Sequence, residues 1–93
     1  MINVITYEKV KDHEEWLKVF KEDAANRKGS VGGVIMQVEG DPNRHYIVFE
    51  WSDKEAHDFA NFAKTPEMQM VFKKAGVLEQ TINLCSSSLK FSK

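Results

Sequence analysis

The strand and helix signals of this chain are clearest in the stretch Ile47-Val48-Phe49-Glu50-Trp51-Ser52-Asp53-Lys54-Glu55-Ala56-His57-Asp58-Phe59. Its first five residues are β-branched or aromatic at four positions, which is typical of a strand. Ser52 followed three residues later by Glu55 has the spacing of a capping box, and Ala56 and Phe59 begin an apolar stripe at helical spacing. The stretch therefore predicts a strand that passes directly into a helix.

The residues before this stretch predict two further strands and a helix. Residues 2–10 alternate as a strand whose one face carries Ile2, Val4, Thr6 and Glu8. Asp12 and Glu15 have capping-box spacing, and the helix that they begin is predicted to run to about Lys28, with Gly29 as its stop. Residues 31–39 alternate again. The turn formers at 40–43 predict a hairpin between this strand and a strand over 45–51.

The residues after this stretch predict a divided helix and a last strand. Thr65 and Pro66 interrupt the helical stripe, and Pro is well tolerated at the first position of a new helix that would run to Gly76. Residues 80–91 alternate, with Ile82 and Leu84 opposite a second set, Cys85, Leu89 and Phe91.

The resulting order, βαββαβ, predicts one α+β domain over residues 1–93. Its natural closed form is a ferredoxin-like sandwich, in which both helices cover one face of a four-stranded antiparallel sheet.

Apolar residues also occupy the sheet face that the two helices cannot cover. Tyr46 and Val48 lie opposite Ile47, and the second strand likewise has apolar residues on both sides. A large exposed apolar face favours association, so we expect a homodimer packed sheet to sheet through the helix-free face. The polar residues expected on that face are Gln37, Glu50, Ser86 and Ser88.

Composition narrows the partners and the compartment. The 93 residues include 13 Lys and Arg against 14 Asp and Glu, a net charge of −1, which argues against a nucleic-acid or anionic-membrane partner. Cys85 is the only cysteine, so no intrachain disulfide can form, and a reducing cytoplasm is the expected setting. The N-terminus lacks the pattern of a signal peptide, and no apolar run approaches the length of a membrane span.

This organisation resembles the dimeric α/β-barrel proteins, most of all the small antibiotic-biosynthesis-type monooxygenases and their relatives. The resemblance covers nearly the whole chain and is carried by residues 47–59, by Phe62 to Met68 at the helix break, and by Lys74 to Val77 at the last turn. It implies a dimeric α/β barrel and, for an enzyme, cofactor-free oxygenation or isomerisation of a phenolic or quinone-like compound. The heme-degrading branch carries a histidine late in its second helix, but residues 72–76 contain none, which argues against heme degradation.

Other chemistries find little support in the sequence. His13, His45 and His57 are scattered without metal-binding spacing, so we expect no metal, and the resemblance implies no other cofactor. Residues 44–51 match only two positions of the RNA-recognition third-strand motif and lack its small residues and its central aromatic. No glycine-rich phosphate loop follows the first strand, which argues against an acylphosphatase.

A ligand pocket in this architecture would lie between the helices and the sheet. The candidate catalytic residues are His13 and His57, as proton acceptors at the margins of the two helical stripes. The candidate ligand-binding residues are Tyr7, Trp16, Trp51 and Phe72, with Tyr7 or Trp51 orienting oxygen atoms. Each candidate also has a structural interpretation: exposed helical histidines and core aromatics.

Two functions follow from these predictions. The first is a dimer that binds a small apolar, aromatic ligand and oxygenates or isomerises it. The second is a non-enzymatic binding or stress-related dimer whose cavity is small or filled and has no titratable group pointing into it. The substrate and any assembly beyond a dimer depend on residues distant in the chain.

Overall fold

The computed structural model describes residues 1–93 and has eight elements in sequence. They are β1 (Ile2–Val10), α1 (His13–Glu22), a 3-10 turn (Ala24–Asn26), β2 (Ser30–Val38), β3 (Asp41–Trp51), α2 (Asp53–Phe62), α3 (Pro66–Lys74) and β4 (Val77–Cys85). The order is the predicted βαββαβ, with the second helical segment divided in two.

The four strands form one antiparallel sheet in the order β2-β3-β1-β4. Because β1 is central, one residue of it has neighbours on both sides: Val4 pairs with Phe49 on β3 and with Leu84 on β4. The helices lie on one face of this sheet, and the predicted ferredoxin-like α+β fold is confirmed.

The core lies between that face and the helices. Alternate residues of β1, from Ile2 to Val10, are all buried, as the period of two along a strand requires. They meet the inward side chains of β3 (Ile47, Phe49 and Trp51) and those of the helices (Trp16, Ala56, Phe59 and Ala75). The aromatic rings stack within this core: the centroids of Trp51 and Phe59 are 4.5 Å apart.

The helix starts follow the predicted capping positions. The Asp12 carboxylate accepts a 3.2 Å hydrogen bond from the Glu14 N–H at the start of α1. At the predicted break, Thr65 Oγ1 accepts from the Met68 N–H, and Pro66 occupies the first turn of α3. Ser52 precedes α2 as predicted, but its hydroxyl makes no capping bond.

The end predicted for the first helix, about Lys28, is wrong. α1 ends at Glu22 and is followed by a 3-10 turn in which the Asn26 and Arg27 N–H groups bond three residues back. The Trp51 indole donates a 2.7 Å bond to the Lys28 carbonyl, which ties this segment to the end of the sheet. A continuing helix would carry Lys28 away from that position.

Strand boundaries differ from the prediction at two other places. β3 begins at Asp41, not at residue 45, because the hairpin turn needs only two residues between Val38 and Asp41, with Gly40 supplying a φ of 81°. β4 spans Val77–Cys85, not 80–91, because Cys85 already pairs with Asn3 near the start of β1. No strand remains beyond that point for Leu89 or Phe91, and both are exposed.

The helix-free face of the sheet carries exposed apolar side chains. Val34, Met36 and Tyr46 are 55%, 49% and 44% exposed, and Ile5 and Val48 beside them are half-buried. Three of the four polar assignments for this face are wrong. Gln37 pairs with His45 and so shares the helix-covered face, and Ser86 and Ser88 lie past the end of β4.

We expect Trp51→Ala to lower the free energy of unfolding by about 3–5 kcal/mol, since it leaves a large cavity in the core. Urea unfolding measures this change. The matched control is Met70→Ala on the exposed side of α3, which should change stability by less than about 0.5 kcal/mol. Equal effects of the two substitutions would contradict this description of the core.

Candidate functional site

A cleft opens between the helices and the covered face of the sheet, and we call it the helix–sheet cleft. Its cavity volume is about 50 Å³, and the empty space rises to about 490 Å³ only when the open, solvent-filled mouth is counted. Most of its wall is apolar and comes from all three helices and from the sheet. Its larger side chains are Trp16, Phe20, Phe49, Phe59, Met68 and Phe72. Such a wall suits a flat, apolar ligand.

Five polar side chains also line the helix–sheet cleft. Thr6, Glu8 and Gln80 come from β1 and β4, whereas Asp23 and Arg27 come from the segment that follows α1. A few polar groups in a mostly apolar wall are what fix the orientation of a bound ligand.

Glu8 is the central member of a buried polar row that crosses three strands. It pairs with His45 on β3 and with Gln80 on β4 in the strand register. One Glu8 oxygen lies 2.8 Å from His45 Nε2, and the other accepts a 2.6 Å bond from Gln80 Nε2. Glu8 is 3% exposed and His45 is fully buried. The hydrogen bonds offset the cost of burying these groups, and we call the set the Glu8 row.

A hydrogen bond links the Glu8 carboxyl to the His45 ring within the Glu8 row. The short contact between the His45 ring and the Glu8 carboxyl requires a hydrogen atom between Nε2 and the oxygen. Glu8 reaches the cleft wall, while His45 lies behind it. A carboxylate has more than two acceptor positions, so Glu8 keeps room for a hydrogen bond from a ligand hydroxyl.

Aromatic rings enclose His45 on its other side. Its ring centroid is 4.0 Å from that of Trp16 and 5.7 Å from that of His13. The Nδ1 atoms of both histidines are buried and have no hydrogen-bond partner. The two histidine rings are therefore in contact without a hydrogen bond between them.

Arg27 forms the second polar feature of the cleft. Its guanidinium carbon lies 3.8 Å from the centroid of the Phe20 ring, and Nη1 donates a 2.9 Å bond to the Phe20 carbonyl. Burial lowers the pKa of Arg27 from its usual value, and the negative charge of Asp23 partly opposes that shift. The guanidinium stays protonated, because its ordinary pKa is far above neutrality.

The structure places the six predicted site residues in different environments. Trp16 and Phe72 line the helix–sheet cleft, whereas His13 is half-buried beside it and contacts Trp16 and His45. Trp51 is fully buried in the core outside the cleft lining. Tyr7 lies on the helix-free face, where it packs against Tyr46 and accepts a bond from Arg44. His57 is exposed on α2. The predicted roles of these residues stay predictions.

Sequence reasoning missed the residues that the structure brings together, namely Glu8, His45, Gln80 and Arg27. A signal for the first two was present, since Glu8 occupies an inward position of β1 and His45 shares the face of Ile47. An ionisable residue at an inward strand position is rarely buried without a partner. Arg27 carried no such signal, because it was assigned to the first helix.

The protein has neither a cluster of metal-binding side chains nor a helix that could span a membrane. No group of three or more His, Cys, Asp or Glu side chains is arranged to hold a metal ion. None of the helices has the length and the apolar character needed to cross a membrane.

Glu8→Ala should lower the free energy of unfolding by about 3–5 kcal/mol, because it leaves His45 Nε2 and Gln80 buried without their partner. Glu8→Gln keeps hydrogen-bonding groups at the same place and should cost less. Glu79→Ala, on the exposed side of the neighbouring strand, is the control and should change stability by at most about 1 kcal/mol. Urea unfolding of the three variants checks the order, and a neutral Glu8→Ala would show that the row does not stabilise the fold.

No protein-family model matches the sequence, and no curated protein matches it either. Solved structures do match over nearly the full chain. SnoaB from Streptomyces nogalater, described as a cofactor-independent oxygenase, is 16% identical with a TM-score of 0.70, over 99% of this chain and 97% of that one.

Two other solved structures match the chain over a similar length and with similar TM-scores. An antibiotic biosynthesis monooxygenase is 18% identical with a TM-score of 0.65, over 96% of this chain and 100% of that one. A dimeric ferredoxin-like protein from an uncultured marine organism is 17% identical with a TM-score of 0.59, over 99% of this chain and 91% of that one. At these identities the likeness establishes the fold. This chain has the ferredoxin-like fold of the antibiotic biosynthesis monooxygenases, as the sequence resemblance predicted.

Proposed function

We propose that this protein binds a small, largely apolar aromatic compound in the helix–sheet cleft and oxygenates it without a cofactor. The observation that carries the proposal is the Glu8–His45 pair, a buried acid–base pair at the wall of an otherwise apolar, aromatic cleft. Paired titratable groups in a cleft are a frequent mark of a catalytic site. A phenolic compound suits the site, because its ring fits the apolar wall and its hydroxyl can donate to Glu8.

Proton removal from a phenol is the first step of the proposed reaction. The hydroxyl proton passes to the Glu8 carboxylate, which His45 and Gln80 hold in position, and a phenolate remains in the cleft. The phenolate is electron-rich and reduces dioxygen directly. One oxygen atom of O₂ enters the ring to form a quinone, and the other leaves as water with two hydrogens of the substrate.

The six residues predicted for the site differ in whether they contact the ligand in this proposal. Trp16 and Phe72 contact the ring of the ligand, and His13 packs against Trp16 and His45 beside the cleft. The proposal gives the proton-accepting role predicted for His13 to Glu8. Tyr7, Trp51 and His57 lie outside the cleft lining, so the proposal gives them no contact with the ligand. The printed description of SnoaB as a cofactor-independent oxygenase supports this reaction class.

A second candidate function is a binding dimer without catalysis. The observation that favours it is that both Glu8 oxygens already have partners within the protein, as they would in a purely structural polar row. The two functions differ in whether Glu8 affects turnover or only ligand affinity and stability.

We also propose that two copies of the chain pack through the helix-free face. Exposed Val34, Met36 and Tyr46 form an apolar patch there, and covering such patches drives association. The structural neighbour described as a dimeric ferredoxin-like protein supports the formation of a dimer.

The oxygenase proposal predicts that the purified protein converts 1-naphthol and dioxygen to 1,4-naphthoquinone, and that Glu8→Gln lowers the rate at least about 100-fold. The amide cannot take the hydroxyl proton, although it retains hydrogen bonding. Oxygen uptake and quinone absorbance measure the rate, with Glu79→Gln as the control. Binding of 1-naphthol without oxygen uptake would favour the non-enzymatic function.

Sedimentation equilibrium at micromolar concentration should give twice the monomer mass of 10.7 kDa. Placing a carboxylate in each partner face by Met36→Glu should shift the mass to that of the monomer, because two like charges would then be desolvated. Met70→Glu adds the same charge on an exposed helical position and should leave the dimer intact. A monomeric parent protein would exclude the proposed interface.

A further inference from the structure

Arg27 is a cation on the wall of an apolar cleft, without a carboxylate in contact. None of the salt bridges in the protein, which extend to 4.0 Å, includes it. The nearest acidic side chain on its segment, Asp23, accepts instead from the Asn26 amide. The Phe20 ring covers one face of the guanidinium. Arg27 is therefore partly desolvated and lacks a close counter-charge.

The contacts of Arg27 within the protein use little of its hydrogen-bonding capacity. Only Nη1 donates, to the Phe20 carbonyl in the last turns of α1, out of five N–H groups on a guanidinium. This single bond is enough for Arg27 to satisfy a free carbonyl in the last turn of α1, so the other donors are not needed there. The unused donors form the planar fork that binds carboxylates in a bidentate manner.

The two polar features of the cleft lie at different positions along β3. The guanidinium of Arg27 lies over the Phe20 ring, and that ring packs against Phe49 with a centroid separation of 6.2 Å. Glu8 lies opposite His45, four residues earlier on the same strand, a distance of about 13 Å at the rise of a β-strand. Apolar side chains, among them Trp16 and Ile47, line the interval.

From this arrangement we propose that Arg27 binds a carboxylate of the ligand, so that the helix–sheet cleft selects fused-ring aromatic acids with a hydroxyl at the opposite end. The ligand hydroxyl donates a hydrogen bond to Glu8, and its rings lie on the apolar wall. Its carboxylate pairs with the positive charge of Arg27. This inference rests on the proposed aromatic ligand and specifies its class.

Asp23 sets the strength of this preference. Its carboxylate also lines the cleft, and its negative charge opposes a second carboxylate near Arg27. Removal of that charge by Asp23→Asn should strengthen binding of an aromatic acid and leave binding of a neutral analogue unchanged.

The test compares two ligands that differ only in charge, 6-hydroxy-2-naphthoate and 6-hydroxy-2-naphthamide, by isothermal titration calorimetry. The parent protein should bind the acid about 10- to 100-fold more tightly than the amide, the range expected for hydrogen bonds between charged groups. Arg27→Gln should abolish the preference, Arg27→Lys should retain part of it, and Asp23→Asn should increase it. Lys21→Gln removes an exposed charge from α1 and is the matched control.

The outcomes separate this inference from the proposed function. Equal binding of the acid and the amide to the parent protein would overturn the role of Arg27 while leaving an aromatic ligand in place. Failure of both compounds to bind would count against the aromatic ligand itself. A preference that persists in Arg27→Gln would also overturn the assignment. Should Arg27→Gln fail to fold, the Asp23→Asn and Arg27→Lys variants still decide, because a merely structural Arg27 predicts no change in preference.

Discussion

The buried Glu8 carboxyl restricts how the strands of the sheet can pair. A carboxyl group beneath three helices is tolerated only where donors meet both of its oxygens, and His45 and Gln80 supply them from the two neighbouring strands. Those partners reach Glu8 only when β1 lies between β3 and β4 in the observed register. A shift of one residue would turn Glu8 to the opposite face, so the row favours one strand pairing over its alternatives.

The same row has consequences for the shape of the core. Polar side chains occupy the end of the covered face near His13, while rings such as Phe49 and Trp51 fill the other end. α1 follows this division, since Trp16 stacks over His45 and Phe20 packs one turn later against Phe49. The cleft wall and the core therefore share one set of residues, and a substitution at Trp16 would alter both.

The fold was predictable from sequence because its signals are local. Alternation along β1, the cap at Asp12 and the break at Pro66 each depend on a few neighbouring residues, and each has its observed counterpart. The candidate site was not predictable to the same extent. Glu8, His45 and Gln80 are distant in sequence, and only strand register brings them together. Arg27 was missed because the sequence after Glu22 still favours a helix, and Arg27 was assigned to that helix. The hydrogen bond from the Trp51 indole to the Lys28 carbonyl, which holds this segment at the sheet, joins residues distant in the sequence.

Short helices explain why the cleft exists at all. α1 ends at Glu22, and Pro66 divides the second helical segment, so no single helix spans the length of the sheet. Continuous helices would pack their stripes along the whole covered face and close the space between Trp16, Phe72 and the strands. The early end of α1 also brings Arg27 back over Phe20. The interruptions in helical structure thus create the apolar volume and place a cation on its wall, while the strand register places Glu8 elsewhere on the same wall.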